Sequence, residues 1–210
     1  MVAGKFITLE GGEGGGKSTQ ARMLAAALAE RGLPVLLTRE PGGAPGAEHL
    51  RTLLLDGAID WSPQAETLLH FAARAEHVER TIRPALAAGI WVVCDRFADS
   101  TMVYQGHGQG ADRGTIATLT GLLRARPDLT LVLDVSVETT LARLAQRGTA
   151  ADRYERLGAA FFATIRDGFR AIARAEFQRC ALIDGEPDEA TVAAAILEAV
   201  RVRLAPAVRR

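Results

Sequence analysis

Short apolar runs alternate with amphipathic stretches along nearly the whole chain. Lys5 to Glu10 reads as apolar on both faces, as a central parallel strand should be. Ser18 to Arg31 follows with Met23, Leu24, Ala27 and Leu28 on one side, a helical spacing that Gly32 stops. Pro34 to Thr38 predicts a second buried strand and Ala47 to Leu55 a short helix. Ser62 and Pro63 suit the cap and first position of a long helix running to about Ala88 and stopped by Gly89. Leu68, Ala72, Ala75, Ile82 and Leu86 form its apolar stripe. His70, Arg74, His77 and Thr81 form a polar stripe at the same spacing on another face, and such a stripe is usually solvated. Ile90 to Cys94, Leu129 to Asp134 and Ala181 to Asp184 predict three further strands. Helices are expected over Arg113 to Arg124, Glu138 to Gln146 and Tyr154 to Phe177. Asp188 caps a last helix presenting Val192, Ile196, Val200 and Leu204. Five strands alternating with helices predict an α/β chain with one doubly wound parallel sheet, helices on both faces, and a single domain over residues 1–210.

The chemistry collects where strands end. After the first strand, Gly11 to Ser18 fits G-x-x-x-x-G-K-S/T, the phosphate-binding loop. Glycines let the backbone approach a polyphosphate, successive N–H groups form an anion nest, and the next helix turns its positive end toward the same charge. Lys17 would bridge the outer phosphates and the Ser18 hydroxyl would ligate Mg2+. A nucleoside polyphosphate is the implied ligand. After the second strand comes Arg39-Glu40-Pro41-Gly42-Gly43, either a plain connecting loop or part of a binding edge, since ligands of open α/β sheets bind at the carboxyl ends of strands. After the third, Asp95 can hold Mg2+ directly or through water, and Arg96 can grip a second phosphate bidentately. Phe97 to Gly110 is polar, aromatic and glycine-rich, too long for a minimal connection. Between two predicted helices, Arg147 to Arg153 is a small basic interruption with Arg143 one turn upstream. It reads as surface charge or as a lid that closes over a transferring phosphoryl group.

Composition narrows the classes. The chain has 48% hydrophobic and 24% charged residues, with 25 basic against 25 acidic side chains. That balance argues against a broad nucleic-acid-binding surface. Cys94 and Cys180 lie far apart inside apolar runs and read as reduced core residues. No run approaches the ~20 apolar residues of a membrane span, and no basic-then-apolar leader opens the chain, so the expected compartment is the cytoplasm. A guanine-selecting N/T-K-x-D follows no later strand, which counts against a switch GTPase. Two phosphate grips and a lid suit a donor nucleotide facing a phosphorylated acceptor.

The strings FITLEGGEGGGKSTQ, TREPGG, FAAR, DRFADSTMVYQG and RG-x-x-x-DRYE, in this order from Phe6 to about Glu155, resemble bacterial thymidylate kinase. The resemblance implies a P-loop kinase fold with a short lid at about 143–155, and transfer of the γ-phosphoryl of ATP to dTMP with Mg2+. It implies that Gly11, Gly12, Glu13, Gly14, Gly15, Gly16, Lys17, Ser18 and Thr19 hold ATP. Glu13 takes an acidic position associated with the acceptor's sugar and the metal. Arg96 holds the dTMP phosphate, and Asp95 with Ser18 supports Mg2+. Thr101 and Arg74 face the thymine edge, Tyr104 crowds the 2′ position, Gln105 lies beside it, and Glu40 and Pro41 join the acceptor site. Gly14 stands where some relatives carry an arginine, so Arg147 and Arg153 are expected to meet transition-state charge together with Lys17 and Arg96. The aromatic expected to stack on thymine falls on His70, with Phe71 as the neighbouring candidate. A homodimer is implied as well. A nucleoside-monophosphate kinase of other base preference, or a nucleotide-binding subunit that hydrolyses little, is the alternative.

Overall fold

The computed structural model describes residues 4–56, 58–147, 154 and 158–204. Among them, β1 (Phe6–Gly11), β2 (Val35–Arg39), β3 (Trp91–Asp95), β4 (Leu129–Asp134) and β5 (Cys180–Asp184) form one sheet in the order β2-β3-β1-β4-β5. Every pairing is parallel. The order reverses at β1, and the carboxyl ends of β1, β2 and β3 therefore lie side by side.

Alternation along the strands sorts residues to two faces. Ile7 and Leu9 of β1 join Val93, Leu131 and Leu133 beneath α1 (Lys17–Ala29) and α9 (Glu189–Leu204), which supply Leu24, Leu28, Val192, Ile196 and Val200. Phe6, Val92 and Cys94 face the other way, against Val78, Ile82 and Phe97. Thr8 and Glu10 share that second face and are fully buried, so β1 is not apolar on both sides. Each is satisfied, Thr8 by the Thr130 hydroxyl at 2.8 Å and Glu10 by the Phe97 N–H and the Ser100 hydroxyl at 2.8 and 2.6 Å. A buried acid of this kind costs several kcal/mol, on the order of 2–7, if left unpaired.

The long helix departs from expectation in an instructive way. It comprises α3 (Pro63–His77), a π stretch (Val78–Ile82) and α4 (Arg83–Ala87), after α2 (Pro45–Leu55). Ser62 caps it by accepting from the Ala65 N–H. Along α3 the polar stripe is the buried one: Glu66, Thr67, His70, Arg74 and His77 face inward. Leu68, Ala72 and Ala75 of the apolar stripe are exposed, Leu68 at 48%. Only Ile82, the last residue of the π stretch, is fully buried. The segment after Asp95 is not loop but α5 (Ala98–Thr101) and a π stretch (Met102–Gly108), whose Val103 and Tyr104 pack against α8 (Gly158–Ala175). Completing the order are α6 (Arg113–Leu122) and α7 (Val137–Arg147).

Candidate active site

The carboxyl edge of the sheet opens into a cavity of about 590 Å³. On one side the loop from Gly11 to Ser18 folds as the spacing requires. Gly11 has φ 137° and a Cβ there would meet the Leu133 carbonyl oxygen at 2.5 Å, so only glycine fits. Gly16, at φ 80°, precedes α1 and leaves its first N–H groups open to the cavity. Lys17 is buried at the base, its Nζ donating to the Gly12 carbonyl at 2.6 Å. Burial first, and Arg96 second, lower its pKa from 10.5 to about 8. Ser18 donates to Asp95 Oδ2, while Asp95 Oδ1 is buried without a partner among the described residues.

Arg96 stands at the centre. It is the lone non-glycine with positive φ among the described residues, at 70°, a strain of about 1–2 kcal/mol. Its backbone N–H is held by the Leu9 carbonyl at 2.9 Å and its carbonyl accepts from the Cys94 thiol at 3.0 Å. The turned backbone sends the guanidinium into the cavity. There Nη1 donates to the Gly11 carbonyl and the Ser100 hydroxyl, and Nη2 to Glu13 and the Tyr104 hydroxyl at 2.6 and 3.2 Å. Glu13 and Tyr104 raise its pKa against the effect of burial. One side chain thus touches the loop on one side and α5 with its π stretch on the other.

The opposite wall is built from side chains. Arg74 is 3% exposed and donates through Nε to Glu40 at 2.6 Å and through Nη2 to the Phe97 carbonyl and the Thr101 hydroxyl. Glu40 also meets His77 Nδ1 at 3.0 Å, and His77 Nε2 lies 2.8 Å from the Thr38 hydroxyl. Among the described residues, Arg74 Nη1 is buried without a hydrogen-bond partner in a residue that lines the cavity, a donor open to a ligand. Pro41, Thr101, Tyr104 and Gln105 line the same space.

Most of the expected site residues therefore meet in one cavity, from Glu13 to Thr19, Glu40, Pro41, Arg74, Asp95, Arg96, Thr101, Tyr104 and Gln105. Gly11 and Gly12 shape the loop from behind it. Phe71 corrects the expectation. It is buried under Arg74, whose guanidinium carbon lies 4.9 Å from its ring centroid, and it does not line the cavity; His70, one residue round the helix, does. Arg153 lies outside the described residues, as does the Arg147 side chain, although the Arg147 backbone ends α7. Sequence reading gave Arg51 and Tyr154 no part in the site, named Arg39 only within a candidate binding edge, and gave Arg143 no committed role. Arg143 donates to the Gly14 and Gly185 carbonyls, reaching the loop position where an arginine is lacking. Arg51 donates to the Pro41 carbonyl at 2.7 Å and is half-buried facing the cavity. Its place in a short helix, with no motif of its own around it, offered no signal.

A loop for phosphates, an arginine joining two binding regions and a polar wall with an unsatisfied donor describe a nucleotide phosphotransferase, and the comparisons decide which kind. A family model described as thymidylate kinase matches residues 9–196. The chain belongs to the thymidylate kinase family. Among its relatives, thymidylate kinase from Gluconobacter oxydans (strain 621H) is 52% identical over 210 residues, covering 97% of this chain and 98% of the relative. That from Caulobacter vibrioides is 52% identical over 207 residues, covering 97% and 99%. The solved thymidylate kinase from Ehrlichia chaffeensis superposes with a TM-score of 0.77 at 35% identity, covering 94% of this chain and 99% of the other. The fold is thus the thymidylate kinase fold, with the parallel five-stranded sheet expected from the alternating pattern.

Proposed function

We propose that the chain transfers the γ-phosphoryl group of ATP to dTMP, giving dTDP and ADP, with ATP phosphates over the loop and dTMP against the polar wall. The observation that carries this reading is the placement of Arg96, whose guanidinium contacts both halves of the cavity at once. Phosphoryl transfer needs little covalent help from a protein; it needs two oxygens in line and charge where charge builds. Lys17 leaves the Gly12 carbonyl for the outer ATP phosphates, and Arg96 turns toward the dTMP phosphate. Arg147 and Arg153 supply further positive charge at the transferring group. Glu13, bonded to the Tyr104 hydroxyl at 3.0 Å, orients the acceptor's sugar, and Tyr104 fills the space a 2′-hydroxyl would need.

The unpartnered Asp95 Oδ1 beside the Ser18 hydroxyl fits Mg2+, a cation that takes hard oxygen ligands. When bound, Mg2+ neutralises charge on the ATP phosphates. Against the base, Arg74 Nη1 is the donor and His70 the flat ring that faces it. The working form is a homodimer joined through the outer face of α3, where Leu68, Ala72 and Ala75 leave an apolar strip exposed. The cytoplasm suits an enzyme with two buried, unpaired cysteines. No helix among the described residues is long and apolar enough to cross a membrane.

The deciding experiment is ADP release from ATP and Mg2+ with single acceptors. ADP should form fastest with dTMP, less well with dUMP and worse with ribonucleotides, and not without an acceptor. Uniform turnover of AMP, CMP and GMP would overturn the reading.

A further inference from the structure

The carboxylate of Glu66 plays no part in the mechanism above, yet it organises one end of the cavity. It is fully buried on α3, and three donors converge on its Oε1: the Tyr154 hydroxyl at 2.6 Å, Gln105 Nε2 at 2.8 Å and Gln109 Nε2 at 3.1 Å. This arrangement settles which way round the Gln105 amide sits. A carboxylate only accepts, so the NH2 must face it. The same nitrogen donates to the Tyr154 hydroxyl at 3.3 Å, which engages the amide on that side a second time. Gln105 is 1% exposed, so the amide has little freedom to turn, and its carbonyl Oε1 is left for the cavity that the residue lines. Among the described residues nothing donates to that oxygen.

Arg74 contributes the complementary atom. Its Nη1 is the buried donor without a partner, and its Nη2 holds Thr101, which lies four residues before Gln105 on the same helical stretch. The wall therefore offers a donor and, about one turn along, an acceptor. A pyrimidine with a 4-carbonyl and an N3–H presents the matching acceptor and donor. A 4-aminopyrimidine presents a donor and a bare ring nitrogen, and mismatches both.

We propose that Glu66 is a positioning residue for base selection: by holding the Gln105 amide one way round, it fixes the order of donor and acceptor in the pocket, which admits keto pyrimidines and rejects amino pyrimidines. The proposal rests on the assignment of this cavity to dTMP. Its test compares kcat/KM for dTMP, dUMP and dCMP in the wild type, Glu66→Gln and Gln105→Leu. Glutamine at position 66 keeps the shape but can donate as well as accept, so either orientation of Gln105 becomes satisfied. The dTMP-to-dCMP ratio should fall at least about 10-fold, while the dTMP-to-dUMP ratio holds because those two bases share the edge being read. An unchanged dTMP-to-dCMP ratio overturns the proposal. So does an equal loss on all three acceptors, which is what a merely structural role would produce. If Glu66→Gln does not fold, Gln105→Leu decides, since it removes the oriented carbonyl directly; a wild-type ratio there also overturns the proposal. Failure of the underlying assignment is separate and visible in the wild type, which would then turn over none of the three acceptors.

Discussion

The two halves of the cavity are made of different material. The donor half, from Gly11 to Ser18, is mainly backbone: glycines that permit the turn, and N–H groups that every chain possesses. The acceptor half is side chain, delivered by α3, the turn after β2, α5 and the π stretch that follows. Backbone recognition is generic, so the loop names a chemical class and no substrate. Side-chain recognition is particular, and it requires polar groups to be buried. That burial is stable here because the groups answer one another. Glu40 holds Arg74 and His77, and Glu66 holds Gln105, Gln109 and Tyr154. The difference teaches that substrate identity in this protein resides in a paired polar network rather than in the motif that first announces it.

Arg96 belongs to both halves, and removing it should give the largest effect. Arg96→Ala is expected to lower kcat/KM for the complete reaction on the order of a thousandfold. If only the dTMP KM rises, with kcat intact, Arg96 serves the acceptor half alone and the comparison loses its bridge. Arg74→Lys tests the separation itself. Lysine cannot reproduce the fork that serves Glu40, Phe97 and Thr101, so the dTMP KM should rise roughly 10–100-fold. The ATP KM should stay within about twofold of the wild type in the same assays. A parallel rise in both constants breaks the division. Tyr104→Ala probes discrimination within the acceptor half and should reduce the preference for deoxyribose over ribose about 10-fold; an unchanged ratio removes that role.

The smallest effect concerns the floor shared by both halves. Glu10, one residue before the end of β1, lies beneath the loop and holds Phe97 and Ser100. Burial, and then nearby Asp99, raise its pKa from 4.5 to about 7. The folded protein therefore retains a proton that the unfolded chain releases between those values. That contribution falls as pH rises through the window and is fully lost above it, a change on the order of 3 kcal/mol. Glu10→Gln should flatten this part of the pH dependence and raise Tm near pH 8 by roughly 5 °C. A pH profile of Tm parallel to the wild type's would show that Glu10 carries its charge unperturbed.

Much of this was legible in the chain before any geometry. Strand order aside, the five strands fell within a residue or so of their final bounds, because parallel strands are short, continuous apolar runs; β2, expected to be buried, is an edge strand with Leu37 exposed. The phosphate loop and Asp95-Arg96 were legible because each is contiguous. What failed to read was the orientation of α3. Periodicity detects a stripe but not which neighbour it meets, and here a polar stripe meets other polar groups while Leu68 faces out. Phe71 was put forward as a stacking ring because it neighbours His70, where the resemblance places the aromatic; a turn of one residue makes Phe71 the support of Arg74 and gives His70 the cavity. Arg51 is drawn in by folding from α2, which carries no local motif, whereas Arg39 and Tyr154 lie inside the strings TREPGG and DRYE, which do not by themselves say what each side chain meets.

The most direct test of the account is a structure of the protein with dTMP bound. The base should lie against His70 with its 4-carbonyl at Arg74 Nη1, and the phosphate should reach Arg96 beside the loop. A dTMP bound the other way round, with its phosphate at Arg74 and its base over the loop, would contradict the division between a generic donor half and a selective acceptor half.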